Sequence, residues 1–185
     1  TAYGESWDVI GKTVSASAAS KTTGQAIKEG AIGGYGKNNS FFYDLPELMD
    51  GLDVNVSYVP SNGGTSARPD GTVSIALAYT GIDGLTVGAG QDDNGLSGTS
   101  KIETETLYAK YAWGSFTIGF QESEQDQSAA TASDDEFSAM GITYQVNDDL
   151  TIGYHASERQ FGDKTQDQES ANLSVSYTSG GMTVA

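Results

Sequence analysis

Three features of the sequence predict an all-β antiparallel fold. Apolar residues recur at every second position in one segment after another, the composition favours strands and turns over helices, and short connections alternate with long ones.

Composition sets the first bounds. The 185 residues include 24 Gly, 10 Tyr and only 3 Pro, with abundant Ser and Thr, a choice suited to many short strands joined by turns. Acidic residues number 25 against 9 basic ones, for a formal charge of −16. Phosphate recognition needs clustered Lys and Arg, so nucleic acid is excluded as a partner. The same charge attracts cations and biases any pore it lines toward them. Absence of Cys removes disulfides, thiolate metal sites and thiol redox chemistry.

The elements follow in order. Leu52, Val54, Val56 and Tyr58 share one face of a strand, with Asp53, Asn55 and Ser57 on the other. Val73, Ile75, Leu77 and Tyr79 are split in the same way from Thr72, Ser74, Ala76 and Ala78. The pattern returns at Leu85 to Ala89, Leu107 to Trp113, Phe116 to Phe120, Met140 to Val146, Leu150 to Tyr154 and Leu173 to Tyr177. With a run around Ser40 to Tyr43 this makes about nine complete strands, and Met182 to Ala185 begins another. No stretch approaches the roughly 20 consecutive apolar residues of a membrane helix. Alternation of this kind is how a membrane barrel hides its apolar surface, since every second side chain alone meets lipid.

Sidedness of the connections separates a barrel from a sandwich. Residues 82–84, 113–114, 147–149 and 179–181 are short and turn-forming, whereas residues 61–71, 92–101, 122–135 and 158–169 are longer and polar. All the long connections then fall at one end, as in an outer-membrane barrel with tight periplasmic turns and larger external loops. Tyr79, Trp113, Phe116, Tyr144 and Tyr177 sit beside the short turns and are expected to form an aromatic band at the periplasmic rim. The opposite faces carry Ser, Thr, Gly, Asn, Lys110 and His155, too polar for the packed core of two stacked sheets. The predicted fold is therefore an antiparallel transmembrane β-barrel.

One segment is more specific. Asn38-Asn39-Ser40-Phe41-Phe42-Tyr43-Asp44-Leu45-Pro46-Glu47-Leu48, followed by Gly51-Leu52-Asp53-Val54-Asn55-Val56-Ser57-Tyr58, resembles a hairpin of the general bacterial porins. Pro46 lacks the donor a ladder needs and ends the first strand, while Asp50-Gly51 turns the chain back. The resemblance implies a barrel of about 16 strands in the outer membrane, usually a homotrimer in contact with lipid and lipopolysaccharide. On that expectation this chain carries about nine or ten of the strands and lacks N- and C-terminal ones. Thr1 shows no signal-peptide pattern, and Ala185 falls within a strand instead of on a terminal aromatic.

The same resemblance implies that residues 1–36 are a constriction loop folded inward, with residues 37–185 forming the barrel strands. Glu5, Asp8 and Glu29 would then offer carboxylates to the narrow zone, opposed by Lys37 and Lys110. Many relatives carry Arg just before the motif Tyr, where this chain has Phe42, so the basic wall is thinner and cation preference is expected.

Other chemistry is sparse. His155 is the lone histidine, so nucleophilic systems and histidine metal sites have at most one member. Asp92 and Asp93, and likewise Asp134 and Asp135, are oxygen-rich enough to suggest calcium, without the full spacing of a calcium loop. No catalytic constellation emerges, so an enzyme is not expected. The expected function is a water-filled diffusion channel for small hydrophilic solutes and ions. The alternatives are an outer-membrane barrel acting as an adhesin or receptor, and a soluble calcium-binding extracellular β-domain.

Overall fold

A computed structural model describes residues 41–46, 48–60, 71–93, 101–127, 134–162, 167–179 and 182–184. Ten strands make up its regular structure: β1 (Phe41–Asp44), β2 (Leu52–Val59), β3 (Thr72–Ile82), β4 (Leu85–Asp93), β5 (Ile102–Trp113), β6 (Phe116–Gln127), β7 (Asp135–Gln145), β8 (Leu150–Phe161), β9 (Gln168–Ser179) and β10 (Met182–Val184). They form one sheet in sequence order, each strand antiparallel to the next. Consecutive hairpins suffice to build it, so no crossover interrupts the ladder.

Local chemistry fixes the turns. Gly51, Gly84 and Gly114 have φ of 77°, 73° and 56°, the left-handed region that side chains with a Cβ avoid. At the β7–β8 turn the Asn147 carboxamide oxygen accepts from the amides of Asp149 at 2.9 Å and Leu150 at 2.8 Å, holding the bend from its own side chain. Before the β1–β2 turn, Leu45 N–H donates to Val54 O at 2.9 Å, the last ladder bond before Pro46.

Alternation gives the sheet two unlike faces. Leu85, Tyr111, Ile118, Ile142, Tyr154 and Leu173 lie opposite one another in a single row across β4 to β9. Among the described residues nothing packs on this outer face: Leu173 is 80% exposed and Trp113 69%. Among the described residues the buried apolar side chains are Tyr108, Phe137 and Ala139, and all three belong to the inner face. The apolar stripes therefore point away from the protein. Each Leu or Ile among them gains about 1.5–3 kcal/mol when transferred from water to hydrocarbon.

The row of residues also reports how the strands lean. Leu85 directly follows the β3–β4 turn, Ile118 stands past Phe116, Tyr154 stands well beyond Leu150, and Leu173 lies further still from the end of β9 at Ser179. Successive turns are thus staggered by about two residues per hairpin, the shear a closed sheet requires. One residue of rise per strand, about 3.3 Å, against a strand spacing of about 4.8 Å gives a tilt near 35°. That value lies in the range of membrane barrels.

Aromatic side chains gather at the turn end of the outer face. The Trp113 and Phe116 rings stack with centroids 6.2 Å apart, and Phe116 lies 4.6 Å from Tyr144. Tyr79 and Tyr177 share that face, opposite Leu52 and Leu150. The expected girdle is present.

At the opposite end the strands run further than the apolar pattern implied. Asp92 and Asp93 belong to β4, Glu122 to Gln127 to β6, Asp135 and Glu136 to β7, and Glu158 to Phe161 to β8, so the long connections are shorter than expected. Backbone pairing continues where hydrophobicity stops, because the ladder does not depend on side-chain polarity. On the outer face this leaves an acidic border above the apolar band. Glu105, Glu124 and Glu136 are directly opposed across three strands, as are Glu103 with Asp126 and Glu158 with Glu169. Like charges in such cross-strand pairs repel.

Glu124 stands between Glu105 and Glu136, with Asp126 and Asp134 also acting on it. Replacing Glu124 by Gln is expected to stabilise the sheet by about 0.2–1 kcal/mol at low salt, and by less as salt screens the charges. Thermal unfolding in detergent at two ionic strengths measures this; a lower midpoint in the variant would refute the repulsion. On the inner face, a Cβ at Gly88 would meet the Tyr108 ring at 2.5 Å. Gly88→Ala is expected to displace that ring and cost about 1–3 kcal/mol, read as a lower unfolding temperature.

Candidate functional site

The inner face is the polar wall that alternation placed opposite the apolar band. Its register sets Thr86, Lys110, Gly119, Gly141, His155 and Asn172 in one row. Lys110 is half-buried and shares its face with Tyr108 and Ala112, as the alternation required. Among the described residues no carboxylate pairs with it. Glu5, Asp8, Glu29 and Lys37, the other expected members of the constriction, lie outside the described residues. His155, 2% exposed, is part of the packed wall.

Short polar side chains knit that wall together, some across strands and some along one strand. Thr106 and Ser123 share a hydrogen bond of 2.7 Å between their hydroxyls, Gln121 Nε2 donates to Ser123 Oγ at 3.2 Å, and Asn172 Nδ2 donates to Ser170 Oγ at 3.0 Å. Ser74 donates its hydroxyl to Asp92. Such bonds hold side chains flat against the strands, and each contributes about 0.5–1.5 kcal/mol net.

The adjacent acidic residues separate. Asp92 points inward beside Ser74, while Asp93 takes the outer face and forms an ion pair with Lys101 at 3.8 Å. Alternation alone sends neighbours on one strand to opposite faces. Lys101 also donates to Glu103 at 2.7 Å, and that bond raises its pKa. Asp134 accepts from the Gln127 amide at 3.0 Å, and Asp135 turns inward.

Asp135 belongs to a contact that the sequence did not disclose. Arg159 Nη2 on β8 donates to Asp135 Oδ2 on β7 at 2.8 Å, and both side chains are largely buried. The guanidinium carbon also stands 4.8 Å above the Phe161 ring. The three residues come together through register, since Asp135 is opposite Phe161 and Arg159 follows on the same face. No sequence spacing announces a pair 24 positions apart.

The pairing has an electrostatic consequence. The one arginine on the described inner face is neutralised by its own carboxylate. Asp44 and Asp53 remain on that face without an ion-pair partner among the described residues, against Lys110 alone. The described wall is therefore weakly negative.

Solved structures share the architecture. A refined porin structure superposes with a TM-score of 0.58 at 18% identity, covering 77% of this chain and 51% of its own. A double mutant of the Rh. blastica porin gives a TM-score of 0.48 at 22% identity, covering 74% and 42%. A structure described as showing asymmetric conductivity of engineered proteins gives 0.49 at 24%, covering 74% and 43%. The chain thus spans about half the length of the solved structures it matches. No curated protein matches it. The family model for the Gram-negative porin matches residues 1–185 in full, and with the outward apolar band and the staggered ladder it identifies the chain as a member of the Gram-negative porins of the bacterial outer membrane.

Proposed function

We propose that this chain forms part of the wall of a water-filled channel through which small hydrophilic solutes and ions diffuse passively across the outer membrane. The observation that carries the reading is the division of the sheet: exposed apolar residues cover one face, and a hydrogen-bonded polar wall covers the other. A soluble β-domain would leave Leu107, Phe120, Met140, Ile142 and Leu173 in water, which is strongly unfavourable for so continuous a surface.

Cation preference extends the proposal. Arg159 is already paired, Phe42 occupies a wall position that would otherwise suit a basic residue, and Asp44 and Asp53 face inward. Glu5, Asp8 and Glu29 add carboxylates at the narrow zone, with Lys37 and Lys110 as the opposing charges. By likeness to porins the assembly is a homotrimer, held in lipid and lipopolysaccharide.

Planar-bilayer recording is the test. Ion-conducting steps with greater permeability to potassium than to chloride are expected, and Glu5→Gln with Asp8→Asn should lower that ratio about two- to fivefold. A membrane-inserted protein that conducts no ions would end the channel reading; an unchanged ratio in the double variant would end only the role of those two carboxylates.

A further inference from the structure

The inner face carries a trough whose shape is set by the register. Ala76 is opposite Gly90 and Ala78 opposite Gly88, so Ala76, Ala78 and Gly90 form an open floor across β3 and β4 while the Tyr108 ring lies over Gly88. Along one side, β1 and β2 raise Asp44, Asn55 and Asp53: Asp44 faces Asn55, Asn55 faces Ala76, and Asp53 faces Ala78. Along the other, β5 raises Thr106 opposite Gly90 and Tyr108 opposite Gly88. Three strand spacings, about 14 Å, separate the two sides. The open space is about 610 Å³, within the range of small-molecule sites and ample for an amino sugar.

The two sides differ chemically. Among the described residues neither Asp44 nor Asp53 has a hydrogen-bond or ion-pair partner, and both side chains are exposed to the trough. The facing side offers the methyl of Thr106, whose hydroxyl is bonded to Ser123 and the Glu122 carbonyl on β6, and the ring of Tyr108. Phe42, on the same face as Asp44, adds a second aromatic surface at the open end. Unpaired carboxylates with aromatic rings nearby are the surroundings that favour an ammonium group, through charge-assisted hydrogen bonds and attraction to ring faces.

Resting on the channel reading, we propose that this trough is a binding site for small hydroxyl-bearing organic cations in transit. The ammonium group lies between Asp44 and Asp53, and the rest of the solute spans the small-residue floor toward Thr106 and Tyr108. The floor shapes the site: a larger side chain at Ala76 or Ala78 would narrow the trough between the carboxylates and Tyr108.

Glucosamine and glucose differ by one ammonium in place of a hydroxyl, and so isolate the charge. Added to the conducting protein in planar bilayers, glucosamine should interrupt the current at concentrations about tenfold lower than glucose. Asp44→Asn with Asp53→Asn should remove that difference, and should lower the potassium-over-chloride preference to which both carboxylates contribute. Ala76→Leu should weaken the interruption with both carboxylates intact. Equal action of the two sugars on the unaltered protein, or undiminished action of glucosamine on the double variant, would overturn the proposal with the channel standing. Titration calorimetry of glucosamine into the detergent-solubilised protein reads the site without conduction. Heat that vanishes in the double variant supports the site even if no channel opens; no binding to the unaltered protein refutes it.

Discussion

Everything in this molecule depends on an unbroken antiparallel ladder whose two faces meet different solvents. Hydrocarbon offers no partner to a backbone amide or carbonyl, so a strand can cross it only with both sides of its ladder occupied. Consecutive hairpins give each of β2 to β9 a partner on both sides without a crossover. The two-residue side-chain period then does the sorting. Leu107, Ala109, Tyr111 and Trp113 turn outward, and Thr106, Tyr108, Lys110 and Ala112 turn inward, on one strand and with no further instruction.

The ladder outlasts the apolar band, which explains the arrangement at the loop end. Strands β4 to β9 continue past the last outward apolar residue into a border of carboxylates. Facing water and polar headgroups, the border is free of the desolvation cost a charge would bear among acyl chains. Mutual repulsion across Glu105, Glu124 and Glu136 is the remaining cost, and it is tolerable because the backbone bonds beneath them are intact. At the other end Trp113, Phe116 and Tyr144 mark the second boundary with amphipathic rings. The band between these two borders is what makes the protein a resident of the outer membrane.

Inside, the charge of the described wall depends on which groups are already satisfied. Arg159 is committed to Asp135 and stacked on Phe161, so it strengthens the wall more than it attracts anions. Among the described residues Asp44 and Asp53 have no such commitment. Small residues shape the wall as well: Gly88 gives the Tyr108 ring room to lie against it, and Ala76, Ala78 and Gly90 open the trough beside the carboxylates.

The sequence by itself determined the strands, the face each side chain takes, the short turns and the aromatic end, because all of these follow from a period of two and from turn chemistry within a few residues. Lys110 was placed inward on that ground alone. Tertiary structure alone decided register, since pairing depends on the stagger between strands, which no single strand records. From register came the ion pair of Arg159 with Asp135, the carboxylate ladder at Glu124, and the trough in which Asp44 and Asp53 face Tyr108 across small residues. The strand ends beyond Glu122 and Glu158 were also its decision, because hydrogen bonds between backbones persist where the hydrophobic signal has stopped.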